Sequence, residues 1–264
     1  MTEITEDWAK AFDLPKPGNM MEAHDKREDV FVHQGTQMAI AIRDAIERFS
    51  DRPMSELKIL DFGCGVGRVA MPLRHFCGKP DICVDVDRDA IRYLKSQLPG
   101  VGCRVTDFDP PLPFRDRAFD VVFSVSIWTH LTAESSEAWL AEMARILRPG
   151  GLALLTTSNY AVLDVRRNHP VTAGFGWGDV TDEMLREQGY VFIETPAAPG
   201  TGTYGLASHD PDFIRRDWSR HMEVVDILPG AILGAQDINV LRKPGRPRKA
   251  QGQAQGQPQD GTAL

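Results

Sequence analysis

The stretch Lys58-Ile59-Leu60-Asp61-Phe62-Gly63-Cys64-Gly65-Val66-Gly67-Arg68-Val69-Ala70 constrains this chain most. An apolar run ends in an acid, three glycines follow at every second position, and a helix-forming pattern resumes. That order predicts a strand, a tight turn and a helix N-terminus. Glycine adopts positive φ and lets a ligand approach the backbone closely. The helix N-terminus adds free N–H groups and a partial positive charge. Such a loop holds a nucleotide-type cofactor.

The flanking sequence sets the loop in an alternating pattern. Met38, Ile42, Ala45, Ile46 and Phe49 form a helical stripe that Gly35-Thr36 can start and Ser50–Pro53 ends. Past the loop, Leu73 and Phe76 continue a helix to Gly78. Strand-like runs follow at Ile82–Val86, Val101–Val105, Phe119–Val125 and Leu152–Thr156. Between them lie a helix capped by Asp87, the rigid Pro110–Pro113 loop, and a helix near Thr132 carrying Trp139, Leu140, Met143 and Ile146. Strands and helices at this rhythm predict a parallel α/β sheet. Ligands of such sheets sit at the carboxyl ends of the strands. Here those ends carry Asp61, Asp85, Thr106-Asp107 and Ser124–Ser126.

The glycine spacing discriminates between cofactors. A dinucleotide fingerprint needs G-x-G-x-x-G, and Arg68 stands where its third glycine would be. An acid just before the loop repels a pyrophosphate. Asp61 suits instead a cofactor with a cationic amino group and a sulfonium, which points to S-adenosylmethionine (SAM).

Asp61-Phe62-Gly63-Cys64-Gly65-Val66-Gly67 resembles the first motif of the class I SAM-dependent methyltransferases. Asp85, eighteen residues past Gly67, matches the family's acid that accepts from both ribose hydroxyls, and Val86 stands where the family packs an apolar residue on adenine. Thr106-Asp107-Phe108 resembles the site of the adenine amino group, with Asp107 and Asp109 both available for that role. Leu112-Pro113-Phe114 with Phe119–Val122, and Arg145–Gly151, are similar to the family's fourth strand and its turn into the fifth. The resemblance covers about residues 35–157. It implies a doubly wound, seven-stranded, mostly parallel sheet with an antiparallel C-terminal edge strand and helices on both faces. It implies a cofactor site made of Asp61, Gly63, Cys64, Gly65, Gly67, Asp85, Val86, Asp107, Phe108 and Ser124. A late Gln236-Asp237 strand is similar to a subgroup of the family.

The domain organisation expected is an N-terminal extension at 1–34, a methyltransferase domain at 35–241 with an insertion at about 158–221, and a basic then Gln/Gly-rich tail at 242–264. The tail composition cannot bury a core. Residues 158–221 predict a short helix near Asp182–Glu187, a strand at Tyr190–Glu194, a hairpin with loop and a helix at Asp212–Arg220. Strands at Met222–Leu228 and Ile238–Leu241, joined by a Pro-Gly-containing loop, close the sheet.

Methyl transfer to O–H or N–H needs a base. His130 and Tyr204 are the catalytic candidates, with Ser126, Thr129 and His209 nearby or in the insertion, while Trp128 and Trp218 are expected to pack. The expected acceptor is a small molecule or sugar-like compound. A nicotinamide oxidoreductase is the alternative of the same fold. A net charge of −7 opposes a nucleic-acid footprint. The exception is the basic stretch at 242–249, whose Gly245-Arg246-Pro247 resembles the core of an AT-hook. Cys64, Cys77, Cys83 and Cys103 form no metal-ligand spacing and predict free thiols of a reducing cytosol. No apolar run approaches the ~18 residues that span a bilayer, so a cytoplasmic protein is expected, with no metal.

Overall fold

A computed structural model describes residues 3–16, 27–195 and 205–245. In chain order its principal elements are α1 (Glu28–Phe49), β1 (Ile59–Phe62), α2 (Ala70–Cys77), β2 (Ile82–Asp85), α3 (Arg88–Gln97) and β3 (Gly102–Val105). β4 (Phe119–Ser124), α4 (Ala133–Ile146), β5 (Leu147–Ser158), α5 (Tyr160–Asn168), α6 (Pro170–Gly174) and α7 (Asp182–Gln188) follow. The chain then forms β6 (Tyr190–Glu194), β7 (Gly205–His209), α8 (Pro211–Asp217), β8 (Glu223–Ile232) and β9 (Gln236–Arg242).

Seven strands form one sheet in the order β3-β2-β1-β4-β5-β9-β8, and β6-β7 form a separate hairpin. β1 through β5 pair in parallel, and β9 runs antiparallel to both neighbours. The antiparallel strand, last in the chain, therefore lies one place inside the edge. Alternate residues of each strand face opposite layers. Leu60, Phe62, Val122 and Leu155 pack with α4 and α8, while Ile59, Val121, Phe123 and Leu154 pack with α1 and α2. Strand order reverses between β1 and β4. A crevice opens where the crossovers diverge to opposite faces, and ligands of such folds occupy it.

Local chemistry fixes the elements that shape this crevice. Asp87 caps α3 by accepting from Asp89 and Ala90 N–H, and Thr132 caps α4 by accepting from Ser135 N–H. Gly78 ends α2 in the left-handed region at φ 68°.

The structure departs from the sequence reading in several places. α1 begins at Glu28, so the helix takes in residues assigned to the extension, and Gly35 lies inside it. Residues 6–11 form a 3-10 helix whose Trp8 is fully buried against α1. Its indole N–H donates to Thr36 Oγ1 at 2.8 Å. Pro229-Gly230 lies within β8 at a register shift, and the turn into β9 falls at Leu233 and Gly234, both at positive φ. β9 runs on to Arg242, whose guanidinium donates to Phe49 O at 2.7 Å. The first residue of the basic stretch, Arg242, thus belongs to the sheet. α5 and α6 follow β5 where the sequence shows little periodicity.

Candidate cofactor and acceptor site

At the carboxyl ends of β1, β2 and β4 lies a cavity of about 340 Å³. The glycine loop forms one wall. Gly63, Gly65 and Gly67 all adopt positive φ, at 77°, 52° and 84°. A Cβ on Gly63 would stand 2.3 Å from Ile127, and one on Gly67 would stand 2.3 Å from Leu94. The loop therefore needs glycine both for its turn and for its seat on the fold.

Asp61, next to last in β1, is 3% exposed, and its Oδ2 has no hydrogen-bond partner. Burial, then the neighbouring Asp85 and Cys103, push its carboxyl well above the usual carboxylate range. An unpaired buried carboxylate is costly, and this one borders a cavity. Asp85 is treated differently. Its Oδ2 accepts from Gly65 N–H at 2.7 Å and its Oδ1 from Asp87 N–H at 2.9 Å. Burial raises its pKa, and those two bonds oppose the rise. Each carboxylate oxygen keeps a second lone pair for a ligand.

Val86, Thr106, Asp107 and Phe108 line the cavity beside Asp85. Val86 is 38% and Phe108 77% exposed, an apolar rim that a flat base would cover. Cys64 also lines the cavity; burial pushes its thiol up to about 11, which excludes a thiolate nucleophile at neutral pH.

The sequence-derived residues do not all converge. Ser124 is fully buried within β4 and is absent from the cavity wall, where Val125, Ser126 and Ile127 stand instead. Asp109 does not line the cavity, whereas Asp107 does. Gly67 shapes the loop from behind the wall. Tyr204 lies outside the described residues, as do Arg246–Lys249 of the AT-hook-like stretch. His209 is no loop residue. It is buried in β7 against Tyr190, Phe213 and Trp218. Trp128 and Trp218 are core residues, 6.2 Å apart between ring centroids.

His130 does line the cavity. Its Nδ1 is 2.8 Å from Gly205 O. A carbonyl only accepts, so Nδ1 carries the proton in that bond. Burial lowers the pKa of the imidazole and keeps it neutral at pH 7.

α1 contributes residues that the sequence reading missed. Val30, Phe31 and Gln34 line the cavity, and Gln34 Oε1 accepts from Arg68 Nη1 at 3.0 Å. Arg68 also lines the cavity, with its pKa lowered by burial. The acidic first turn of α1, Glu28-Asp29, was the available signal for its true start.

A glycine loop at a strand-to-helix turn, an acid at or one residue before the end of each of two adjacent strands and an apolar shelf define a nucleoside-cofactor-binding α/β domain. Residues 60–155 match the family model of a methyltransferase domain. Over those residues the chain is similar to the SAM-dependent methyltransferases. A probable SAM-dependent methyltransferase of Mycobacterium tuberculosis is 30% identical over 113 residues, 43% of this chain and 40% of that protein. The tRNA N(3)-cytidine methyltransferase METTL2 of Gallus gallus is 25% identical over 121 residues, 41% of this chain and 33% of that protein. The chain thus matches well under half the length of these relatives. Among solved structures, the PH0226 protein of Pyrococcus horikoshii has a TM-score of 0.57 at 18% identity, covering 78% of this chain and 89% of that one. Magnesium protoporphyrin IX methyltransferase of Synechocystis, solved with bound SAH, has a TM-score of 0.53 at 14% identity, covering 83% and 90%. These structural likenesses show the fold.

The residues present fit the family's cofactor. Asp61 Oδ2 is an unpartnered carboxyl oxygen beside the loop, one that a cationic group would draw into its ionised form, and the positive-φ glycines leave the backbone open to close approach. Among the described residues no helix is long and apolar enough to cross a membrane, and no cluster of metal-ligating side chains occurs.

Proposed function

We propose that the protein transfers the methyl group of SAM to a small-molecule or sugar-like acceptor that enters at the carboxyl end of β4. The observation that carries this reading is the unpartnered Asp61 carboxylate at the mouth of the glycine loop. When bound, the cofactor supplies a methyl carbon activated by a positively charged sulfur.

This chain's own residues bind and orient. With the cofactor bound, Asp61 would take its cationic amino group, Asp85 would take the ribose hydroxyls, and Val86 and Phe108 would cover the adenine. Asp107 would face the adenine amino group. Holding the reactants in line and excluding water supplies most of the acceleration such a displacement needs. His130, neutral and with its proton on Nδ1 in the Gly205 bond, is placed to accept a proton from an acceptor O–H or N–H. The net charge of −7 favours a small acceptor over a polyanion.

Titration calorimetry with SAM, S-adenosylhomocysteine (SAH) and NAD tests the reading. SAM and SAH are expected to bind and NAD to give no heat. Binding of NAD without a response to SAM or SAH overturns it in favour of an oxidoreductase.

A further inference from the structure

The Gln236-Asp237 pair of β9 has no part in the cofactor site, yet Gln236 reaches the cavity wall through a closed ring of hydrogen bonds. Ser126 N–H donates to Thr156 Oγ1 at 2.8 Å. Thr156 Oγ1 donates to Gln236 Oε1 at 2.6 Å, and Gln236 Nε2 donates to Ser126 Oγ at 2.8 Å. The ring joins the carboxyl ends of β4 and β5 to the start of β9. Ser126 is bound at its carbonyl too, which accepts from Thr129 Oγ1 at 2.9 Å. These bonds hold Ser126 at φ 64°, a left-handed conformation uncommon for a residue with a Cβ. Residues held so cluster at functional sites.

Counting protons around the ring gives it a direction. Thr156 is fully buried, so its single hydroxyl proton must be used within the protein. Among the described residues, the Gln236 carbonyl oxygen takes it. That fixes the amide orientation and turns Nε2 toward Ser126. Ser126 Oγ then accepts from Gln236, and its own proton is committed to no group of the ring. Ser126 is the ring member that lines the cavity, four residues before His130. The reversed amide would strand the Thr156 proton in the core instead.

We propose that Ser126 is a hydrogen-bond donor to the methyl acceptor, and that Gln236 and Thr156 are positioning residues that keep its proton turned outward. The acceptor then carries an oxygen with a free lone pair, of a carbonyl or carboxylate, beside the atom that is methylated. This rests on the methyl-transfer reading of the cavity.

The test uses the full chain saturated with SAH and two probes of one shape, acetophenone and α-methylstyrene, which differ by an oxygen in place of a CH₂. Their affinities are compared by ligand-observed NMR at pH 8. Three forms are measured: wild type, Ser126→Gly and Gln236→Glu. Glycine suits the φ of residue 126, so that variant loses the hydroxyl without strain. The Gln236→Glu carboxylate has no donor and draws the Ser126 proton into the ring, leaving the ring's shape intact. The ratio of acetophenone to α-methylstyrene affinity is expected to fall about tenfold in both variants, the size of one net hydrogen bond. SAH affinity should stay within about twofold. A ratio unchanged in either variant overturns the proposal, as does a wild type that binds no acetophenone while binding SAH. Failure of SAH to bind the wild type refutes the cofactor reading instead.

Discussion

Asp61 Oδ2 has no partner, while the Asp85 carboxylate, ending the adjacent strand, accepts two backbone N–H groups. The two acids therefore respond differently to mutation. Asp85 shapes the glycine loop as well as facing the cavity, and Asp61 only waits for a cation. Asp61→Asn removes a carboxyl that the empty fold must either desolvate as an anion or hold protonated above its unfolded pKa. It is expected to raise Tm in the absence of ligand by about 2–4 °C, the shift that ~1 kcal/mol gives in a chain of this size. The same change should weaken SAH binding by about tenfold or more, since a charge-assisted bond is lost. Asp85→Ala should lower both Tm and SAH affinity. Thermal melts with and without SAH separate the two patterns. A fall in Tm for Asp61→Asn would show that its carboxylate is satisfied in the unliganded protein.

The raised pKa of Asp61 also makes cofactor binding a proton-linked event. Its folded pKa lies above the unfolded value, so the protonated form favours folding. The stability it contributes is full below the unfolded pKa and declines as pH rises through the folded one. A bound cation reverses the preference and draws the carboxyl down. Between the free and bound pKa values, SAH binding should release a fraction of one proton. Calorimetry in buffers of different ionisation enthalpy reads that number directly. It should shrink to zero in Asp61→Asn, and buffer-independent heats in the wild type would exclude the linkage.

Strand positions and the glycine loop were legible because each carries a local signature. Buried parallel strands read as apolar runs, and positive-φ turns read as glycines. Tyr190–Glu194 and the Asp87 cap were also read correctly, each from a few neighbouring residues, and the structure settles the cap of α4 on Thr132. What sequence could not show is contact between distant segments. Gln34 meets Arg68 across thirty-four positions, and Gln236 meets Ser126 across one hundred and ten. Ser124 illustrates the converse: a polar residue at a strand end looks like a ligand, yet Ser124 is buried as the last residue of β4, and the bend that follows places Ser126 at the cavity instead. His209 looked like a loop residue because the glycines before it mask a strand that is paired along its whole length with β6.

His209 supplies a test of the insertion. Its ring is fully buried among Tyr190, Phe213 and Trp218, and its Nδ1 has no partner. Burial, aided by Arg166, pushes its pKa down to about 3. The unfolded chain binds the proton near pH 6.5. Stability from this group is thus complete above about pH 6.5 and is lost progressively as pH falls toward 3. Urea unfolding at pH 7.5 and pH 5 should show a loss, and His209→Phe should reduce that loss by about 2 kcal/mol. An equal loss in the variant would mean that His209 is not buried in its neutral form.

Gly35 tests how α1 closes the cavity. It lies inside the helix, where glycine costs about 1 kcal/mol relative to alanine, so its presence needs a reason. A Cβ at this position would stand 2.5 Å from the carbonyl oxygen of Arg68 and 3.3 Å from Trp8. The missing side chain lets α1 lie directly on the glycine loop, with Gln34 next to it holding the Arg68 guanidinium. Because the obstructing atom is backbone, the helix itself must move to admit a methyl group. Gly35→Ala is therefore expected to destabilise the fold by about 1–3 kcal/mol despite its gain in helix propensity. It should also weaken SAH binding severalfold, because Arg68, Gln34 and Phe31 shift together. Gly65→Ala serves as the comparison, since a Cβ there meets nothing within 4 Å and only the positive φ opposes it. Its cost should be confined to about 1 kcal/mol of backbone strain. Denaturant titrations of both variants, with SAH affinities measured alongside, separate the two effects. A Gly35→Ala protein as stable as wild type would mean that α1 rests on the loop loosely enough to be displaced without loss.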